Sequence, residues 1–153
     1  MSVSFDFEDR VALVTGVSGA LGSAIATAFD DAGATVCGTD LVAPDADDSL
    51  VDPATVDFYE GDFTDEDDVE RVVDAVVDDH GGLDHLCNVA GTWRGGTPID
   101  ETDVETVQFL LDVNFTTAFL ASKHALPHLR EGAGTVVSVS ARSSLSGGSG
   151  DGP

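Results

Sequence analysis

Val11-Ala12-Leu13-Val14-Thr15-Gly16-Val17-Ser18-Gly19-Ala20-Leu21-Gly22 passes from a short apolar run through a glycine-rich turn into a helical pattern. Val11 to Val14 are apolar without alternation, as a parallel strand buried on both faces requires. Leu21, Ala24, Ile25, Ala28, Phe29 and Ala32 then recur at i, i+3, i+4, i+7 and i+8, the stripe of an amphipathic helix that stops at Gly33. Between strand and helix, Gly16, Gly19 and Gly22 are spaced G-x-x-G-x-x-G. Missing side chains let the backbone turn sharply and approach a diphosphate, whose charge is welcome at a helix N-terminus. Ala34 to Thr39 reads as a second apolar strand ending at Asp40, 18 residues past Gly22. An acid placed there can accept both hydroxyls of an adenosine ribose.

The chain has 153 residues, one domain's worth, with 29 acids against 6 bases and a net charge of −23. Lys123 is the only lysine. Because 42% of the residues are hydrophobic and fall in periodic runs, this is a folded protein with a solvated acidic surface rather than a disordered tail. Such a surface suits a high-salt cytoplasm. The charge argues against nucleic acid and anionic membranes as partners. Cys37 and Cys87 both fall on apolar strands and read as reduced core residues. No signal peptide or long apolar run occurs, which predicts a soluble cytoplasmic protein.

Further along, Met1 to Arg10 are a polar lead-in with Phe5 and Phe7 as anchors, and Val42 to Thr55 is an acidic loop with Pro44 and Pro53. Val56 to Glu60 reads as a third strand. Thr64 is placed as the N-cap of the next helix with Asp67 at N3, Val69, Val72, Val73, Val76 and Val77 form its buried stripe, and Gly81-Gly82 end it. Leu83 to Asn88 is a fourth strand, and Thr92 to Ile99 a loop carrying Trp93 and Arg94, which could line a substrate entrance or anchor the loop. A long helix from Glu101 to Leu129 is expected with Val104, Val107, Leu111, Phe115, Ala118, Ala125 and Leu129 inward. Thr135 to Val139 is a fifth strand, and Ser143 to Pro153 has the composition of a flexible tail. Strands alternating with helices predict a doubly wound, Rossmann-like α/β domain with about five parallel strands and helices on both faces.

These residues together resemble the short-chain dehydrogenase/reductase family over essentially the whole chain. Thr15 to Gly22 is similar to the family's T-G-x-x-x-G-x-G loop, with Ala20 where the second glycine usually stands. Asp62-Phe63 resembles the family's Asp-hydrophobic pair beside the adenine, and Asn88-Val89-Ala90-Gly91 its N-N-A-G turn with Val89 as a departure. Val113-Asn114-Phe115 is similar to the segment carrying the structural and catalytic Asn, and Gly134 to Ser140 to the strand that delivers the catalytic Ser. The Ser position is Ala141 in the best register, although serines at 140, 143 and 144 lie nearby and the register could slip by one, to Ser140. The family's Tyr would then fall at residue 154, with its Lys beyond, whereas the only tyrosine is Tyr59. The resemblance therefore implies an NAD(H)-dependent oxidoreductase acting on an alcohol or ketone, truncated just before Tyr-x-x-x-Lys by a premature stop, a split gene or a shortened fragment. It would hold cofactor with little turnover. A non-enzymatic NAD-binding module, or half of a two-chain assembly, is the alternative.

The resemblance assigns Gly16, Ser18, Leu21 and Gly22 to the pyrophosphate and nicotinamide, Asp40 and Leu41 to the ribose, and Asp62 and Phe63 to the adenine. Asn88, Ala90 and Gly91 would close the cleft. Asn114 is either the family's catalytic Asn or a polar residue satisfied by a local helix hydrogen bond. No Lys or Arg occurs from Val11 through Glu70, so a 2′-phosphate would meet Asp40 without a cation, which favours NAD over NADP. His124 and His128 stand at i, i+4, but Pro127 intervenes and no Glu follows in H-E-x-x-H fashion, so no metal site is expected. A fifth strand left as an exposed parallel edge would favour self-association or pairing with a C-terminal partner chain. Self-repulsion at −23 is relieved by salt, whose Debye length is about 3 Å at 1 M. The melting temperature should accordingly climb steeply with KCl, and equal stability in dilute buffer and molar salt would refute the salt-adapted reading.

Overall fold

The structure, a computed structural model, describes residues 5–45 and 50–141. The predicted tail from Ser143 to Pro153 lies outside them. Five strands, β1 (Val11–Thr15), β2 (Thr35–Asp40), β3 (Asp57–Glu60), β4 (His85–Asn88) and β5 (Thr135–Ser138), form a parallel sheet in the order β3-β2-β1-β4-β5. The helices are α1 (Ala20–Asp31), α2 (Glu66–His80), α3 (Val104–Leu111) and α4 (Thr117–Glu131), and a 3₁₀ turn at Pro53–Thr55 interrupts the predicted loop. This is the doubly wound architecture expected. β1 occupies the centre with all five residues buried, which is why its sequence shows no alternation.

The two faces of the sheet pack against different helices. Leu13 and Leu86, paired in register, share one core with Val69, Val72, Val73 and Val76 of α2 and Leu120, Ala121, Ala125 and Leu129 of α4. Val14 and Cys87, the next pair, share the opposite core with Val17, Ala26, Val36 and Val56, and with Ile25 and Phe29 of α1 packed against it. Both cysteines are buried and free. The chain winds outward from β1 through β2 and β3 on one side and through β4 and β5 on the other. The loops leaving β1 and β4 therefore diverge at the carboxyl ends of those strands and open a crevice, the usual ligand position in such sheets. β5 is an edge strand exposed along its length.

Three expectations are corrected. The first helix turns a different face inward: Gly22, Ser23 and Ala26 are buried while Leu21 and Ala28 are exposed. Small residues let α1 lie close to the sheet, and the Ser23 hydroxyl is satisfied by donating to the Ala20 carbonyl and accepting from the Leu50 N–H. The N-cap of α2 is Asp65, whose carboxylate accepts from the Asp67 N–H, whereas the Thr64 hydroxyl donates to Asp62. The long helix is broken by a π-helical turn, Asp112–Thr116. That wider turn shifts the phase of the 3.6-residue repeat. Val104, Leu111 and Phe115 consequently lie outward at 77%, 52% and 67% exposure, and Leu110, Thr117 and Leu120 take the inward places.

Opposite the crevice, at the amino ends of the strands, Asp84 accepts from the Val11 N–H (2.9 Å) and pairs with Arg10 (2.9 Å), and His85 meets Thr135 Oγ1 (2.8 Å) and packs against the rings of Phe7 and Phe29, which also touch each other. Burial holds the His85 imidazole below its ordinary value of 6.5. Burial alone would raise Asp84, but the Val11 amide and Arg10 outweigh it and hold the carboxyl low. Both shifts favour the forms present at neutral pH, so the unfolded chain takes up protons first on acidification. Stability in molar KCl, where surface repulsion is screened, should begin to fall as pH drops below about 6.5 and fall again below the ordinary carboxylate range. Urea titrations across pH would show this, and His85→Gln should remove the first step alone.

Candidate functional site

The crevice is a cleft of about 370 Å³. Its floor is the junction of β1 and α1. Gly16 adopts φ +68°, and a Cβ there would stand 2.9 Å from the backbone of Ala90, so the left-handed turn and the close approach both demand glycine. The Gly16 carbonyl then accepts from the Gly19 N–H (3.1 Å), and α1 starts directly over it. A Cβ on Gly22 would fall 2.0 Å from that carbonyl oxygen. No side chain caps the start of α1 and its first turn holds no acid. The leading amides of the helix are thus left for an anion at the place where Gly19, Ala20, Leu21 and Gly22 line the cleft.

Thr15, at the end of β1, joins the two sides. Its hydroxyl oxygen accepts from the N–H groups of Val89 and Ala90 (both 3.0 Å), which fixes the turn after β4 against the glycine turn. Val89, Ala90 and Gly91 form that wall of the cleft, with Val113 and Thr117 from the π turn and α4 beside them. Asp40, Leu41, Gly61, Asp62, Phe63 and Thr64 line the other end. Asp40 Oδ2 accepts from the Ser18 N–H (3.1 Å) and Oδ1 from the Leu41 N–H (2.8 Å). Each oxygen keeps a further lone pair for a ligand. Asp62 Oδ1 accepts from the Thr64 N–H and hydroxyl.

Gly16, Leu21, Gly22, Asp40, Leu41, Asp62, Phe63, Ala90 and Gly91 are brought together by this cleft, and three other sequence-chosen residues stand behind it. Ser18 gives its N–H to Asp40 and its hydroxyl to the Val42 carbonyl (2.6 Å), so it braces the acid. Asn88 is buried and its side-chain amide donates to Ser122 and Ser138 (both 3.1 Å), tying β4 to α4 and β5 rather than closing the cleft. Asn114 lies in the π turn. Its Oδ1 accepts from the Thr92 N–H and its Nδ2 donates to the carbonyls of Thr92 and Leu110, all at 2.9 Å. It clamps the loop after Gly91 and makes the local helix bond as well. Thr15, Thr39, Gly61 and Thr117 were not singled out for the site from the sequence; a lone hydroxyl ending an apolar strand was the available signal for Thr15 and Thr39.

The other reactive side chains are occupied elsewhere. The Tyr59 hydroxyl donates to Asp79 (2.8 Å) and meets His80 (3.1 Å), and burial followed by that bond to Asp79 raises it above the ordinary phenol range. Lys123 pairs with Glu66, which also meets His124 at 3.1 Å, and these bonds hold the Glu66 carboxyl low. Burial pushes the thiols of Cys37 and Cys87 up to about 12 and about 11, leaving them unreactive. Arg94 lies 3.7 Å over the Phe109 ring, so it anchors its loop. Among the described residues no group of three His, Cys, Asp or Glu side chains could hold a metal, and no helix is long and apolar enough to cross a membrane.

Comparison with known proteins agrees with this geometry. The profile of the family described as short chain dehydrogenase matches residues 10–151. Asnovolin H dehydrogenase nvfC of Aspergillus novofumigatus is 32% identical over 141 residues, covering 91% of this chain and 54% of its own. The cis-4-hydroxycyclohexanecarboxylate dehydrogenase of Sinomonas cyclohexanicum is 36% identical over 139 residues, covering 88% and 55%. Among solved structures, the NADH-dependent reductase A1-R′ complexed with NAD superposes with a TM-score of 0.83 at 26% identity, over 94% of this chain and 64% of that one. The chain spans about half the length of the curated relatives it matches.

The floor of the cleft is open to a direct test. Gly22→Ala should destabilise the fold by about 1–3 kcal/mol, because a methyl group cannot share space with the Gly16 carbonyl. Gly82→Ala, whose Cβ would meet nothing within 4 Å, should stay within about 0.5 kcal/mol of wild type. Urea unfolding of the two variants makes the comparison.

Proposed function

The chain belongs to the short chain dehydrogenase family, and on that basis we propose that it binds NAD(H) in this cleft and serves hydride transfer between the dinucleotide and an alcohol or ketone. The observation that carries the reading is Asp40. It ends β2 at the mouth of the cleft, its carboxylate is oriented by two main-chain amides, and a glycine-floored helix N-terminus lines the same cleft. The residues present fit the dinucleotide. A backbone that tolerates no Cβ at Gly16 or Gly22 can approach a diphosphate closely, and the uncapped amides of α1 neutralise it without basic side chains. Asp40 and Leu41 would take the ribose, Asp62 and Phe63 the adenine, and Ala90 and Gly91 the inner end. When bound, the nicotinamide supplies the hydride donor or acceptor.

NAD is preferred to NADP on charge. A 2′-phosphate would meet the Asp40 carboxylate, and the nearest cation in the adjoining cavity, Arg71, already donates to Asp68 (2.7 Å) and to the Glu60 carbonyl (2.9 Å). The relative solved with NAD, itself named an NADH-dependent reductase, supports the same choice. Proton exchange with a substrate oxygen needs a further group. The acids lining the cleft, Asp40 and Asp62, stand at its nucleoside end, its threonines do not titrate in the working range, and Tyr59 and Lys123 are engaged away from it. These residues by themselves therefore hold cofactor without turning it over. The same observation favours a second reading, a cofactor-binding module or one half of a two-chain assembly. The acidic surface fits a salt-rich cytoplasm.

Asp40→Ala should weaken NADH binding about tenfold to a hundredfold, the worth of hydrogen bonds to a charged acceptor, and should erase discrimination against NADPH. Fluorescence titration in molar KCl provides the measurement. Tighter binding of NADPH than NADH by the wild-type chain would overturn the assignment, and alcohol-dependent reduction of NAD by this chain alone would overturn the absence of turnover.

A further inference from the structure

We propose that Asp68 and Arg71, in the first half of α2, are positioning residues that hold the turn after β3 in the conformation presenting Asp62 to the nucleoside end of the cleft; the inference rests on the dinucleotide reading above. The turn runs Glu60-Gly61-Asp62, and the helix grips it on both sides. Asp68 Oδ2 accepts from the Asp62 N–H at 2.9 Å. Asp68 Oδ1 accepts from Arg71 Nη2 at 2.7 Å and Nε at 3.3 Å, and the same Nη2 donates to the Glu60 carbonyl at 2.9 Å. A bridge from the carbonyl before Gly61 to the amide after it is thereby closed through one guanidinium and one carboxylate. The Gly61 N–H donates in turn to the Asp40 carbonyl (3.1 Å), so the bridge also reaches the strand end that carries the ribose acid.

An exposed i, i+3 ion pair alone contributes little. Two further observations give this one a role. Arg71 is the only Lys or Arg between residues 11 and 93, and it lines the same small cavity as Glu60, Asp62 and Asp68, where its charge offsets theirs. The cavity of about 450 Å³ lined by Glu60, Asp68 and Arg71 shares Leu41, Gly61 and Asp62 with the main cleft, so the bridge borders the site directly. The Asp62 N–H and then Arg71 hold the Asp68 carboxyl below its usual range, which keeps the bridge charged into mildly acidic conditions. Asp62 commits Oδ1 to Thr64, and among the described residues its Oδ2 makes no hydrogen bond, leaving that oxygen for the exocyclic amino group of an adenine.

The test compares NADH with its hypoxanthine analogue, which lacks that amino group, by fluorescence titration in molar KCl. Wild type should prefer NADH. Asp68→Ala and Arg71→Ala should each lose about threefold to tenfold in NADH affinity with the analogue unchanged, so that the preference collapses. Arg71→Lys, which keeps the charge without the fork, should recover part of it. Far-UV circular dichroism confirms that each variant is folded. Variants that keep the wild-type preference, or that lose both ligands equally through general loosening, would overturn the inference, as would a wild type without preference. A wild type that binds neither nucleotide would overturn the dinucleotide reading and this inference with it.

Discussion

The start of α1 lies against the carbonyl of Gly16 so closely that residue 22 can carry no side chain, and the rest of the site depends on that contact. Because the helix begins there, its leading amides reach the crevice between β1 and β4. Because Gly16 turns left-handed against Ala90, the glycine turn and the turn after β4 touch, and one hydroxyl, that of Thr15, can join them. A sheet with β1 at its centre supplies the rigidity: every residue of that strand is buried, and two separate apolar cores brace it from opposite faces. Binding geometry is built here from main chain held in place by packing, with few charged side chains involved.

Much of this was legible in the residues. Unalternating Val11 to Val14, the glycine spacing, and an acid closing the next strand are local patterns with one structural solution, and the valine stripe of α2 was inward as its period required. What could not be read were departures from regular geometry. A 3.6-residue repeat assumes an unbroken helix, so the π turn at Asp112–Thr116 moved Leu111 and Phe115 outward and Leu110 inward. On α1, close approach selected Ser23 and Ala26 over the bulkier Leu21, because small residues pack nearest the strands. Thr64 and Asp65 are both good caps, and the competing bond from Thr64 to Asp62 decided between them.

The site shows the same division. Cleft-lining positions followed from the motifs because backbone turns place them. Side-chain direction did not follow. Ser18, Asn88 and Asn114 each sit in a motif segment, yet each sends hydrogen bonds to the scaffold: Ser18 to Asp40 and Val42, the Asn88 amide N–H groups to two serines, Asn114 to the loop at Thr92. Their contribution to the cleft passes through the backbone and side chains they hold. Asn114 illustrates why: a wider helical turn brings its amide level with a neighbouring peptide group, and both ends of that amide are then consumed.

The cleft is also electrically lopsided. One end is walled by the carboxylates of Asp40 and Asp62, while the middle is bounded by peptide N–H groups at a helix terminus. For an elongated anion this makes a gradient along the groove, repelling phosphate from the acidic end and drawing it to the centre before any contact is made. On a molecule of net charge −23, that local well sits inside a repulsive field, so encounter is slow in dilute buffer and quickens as ions thin the field. Ionic strength thus bears on how an anion would approach the groove as well as on the self-repulsion of the surface.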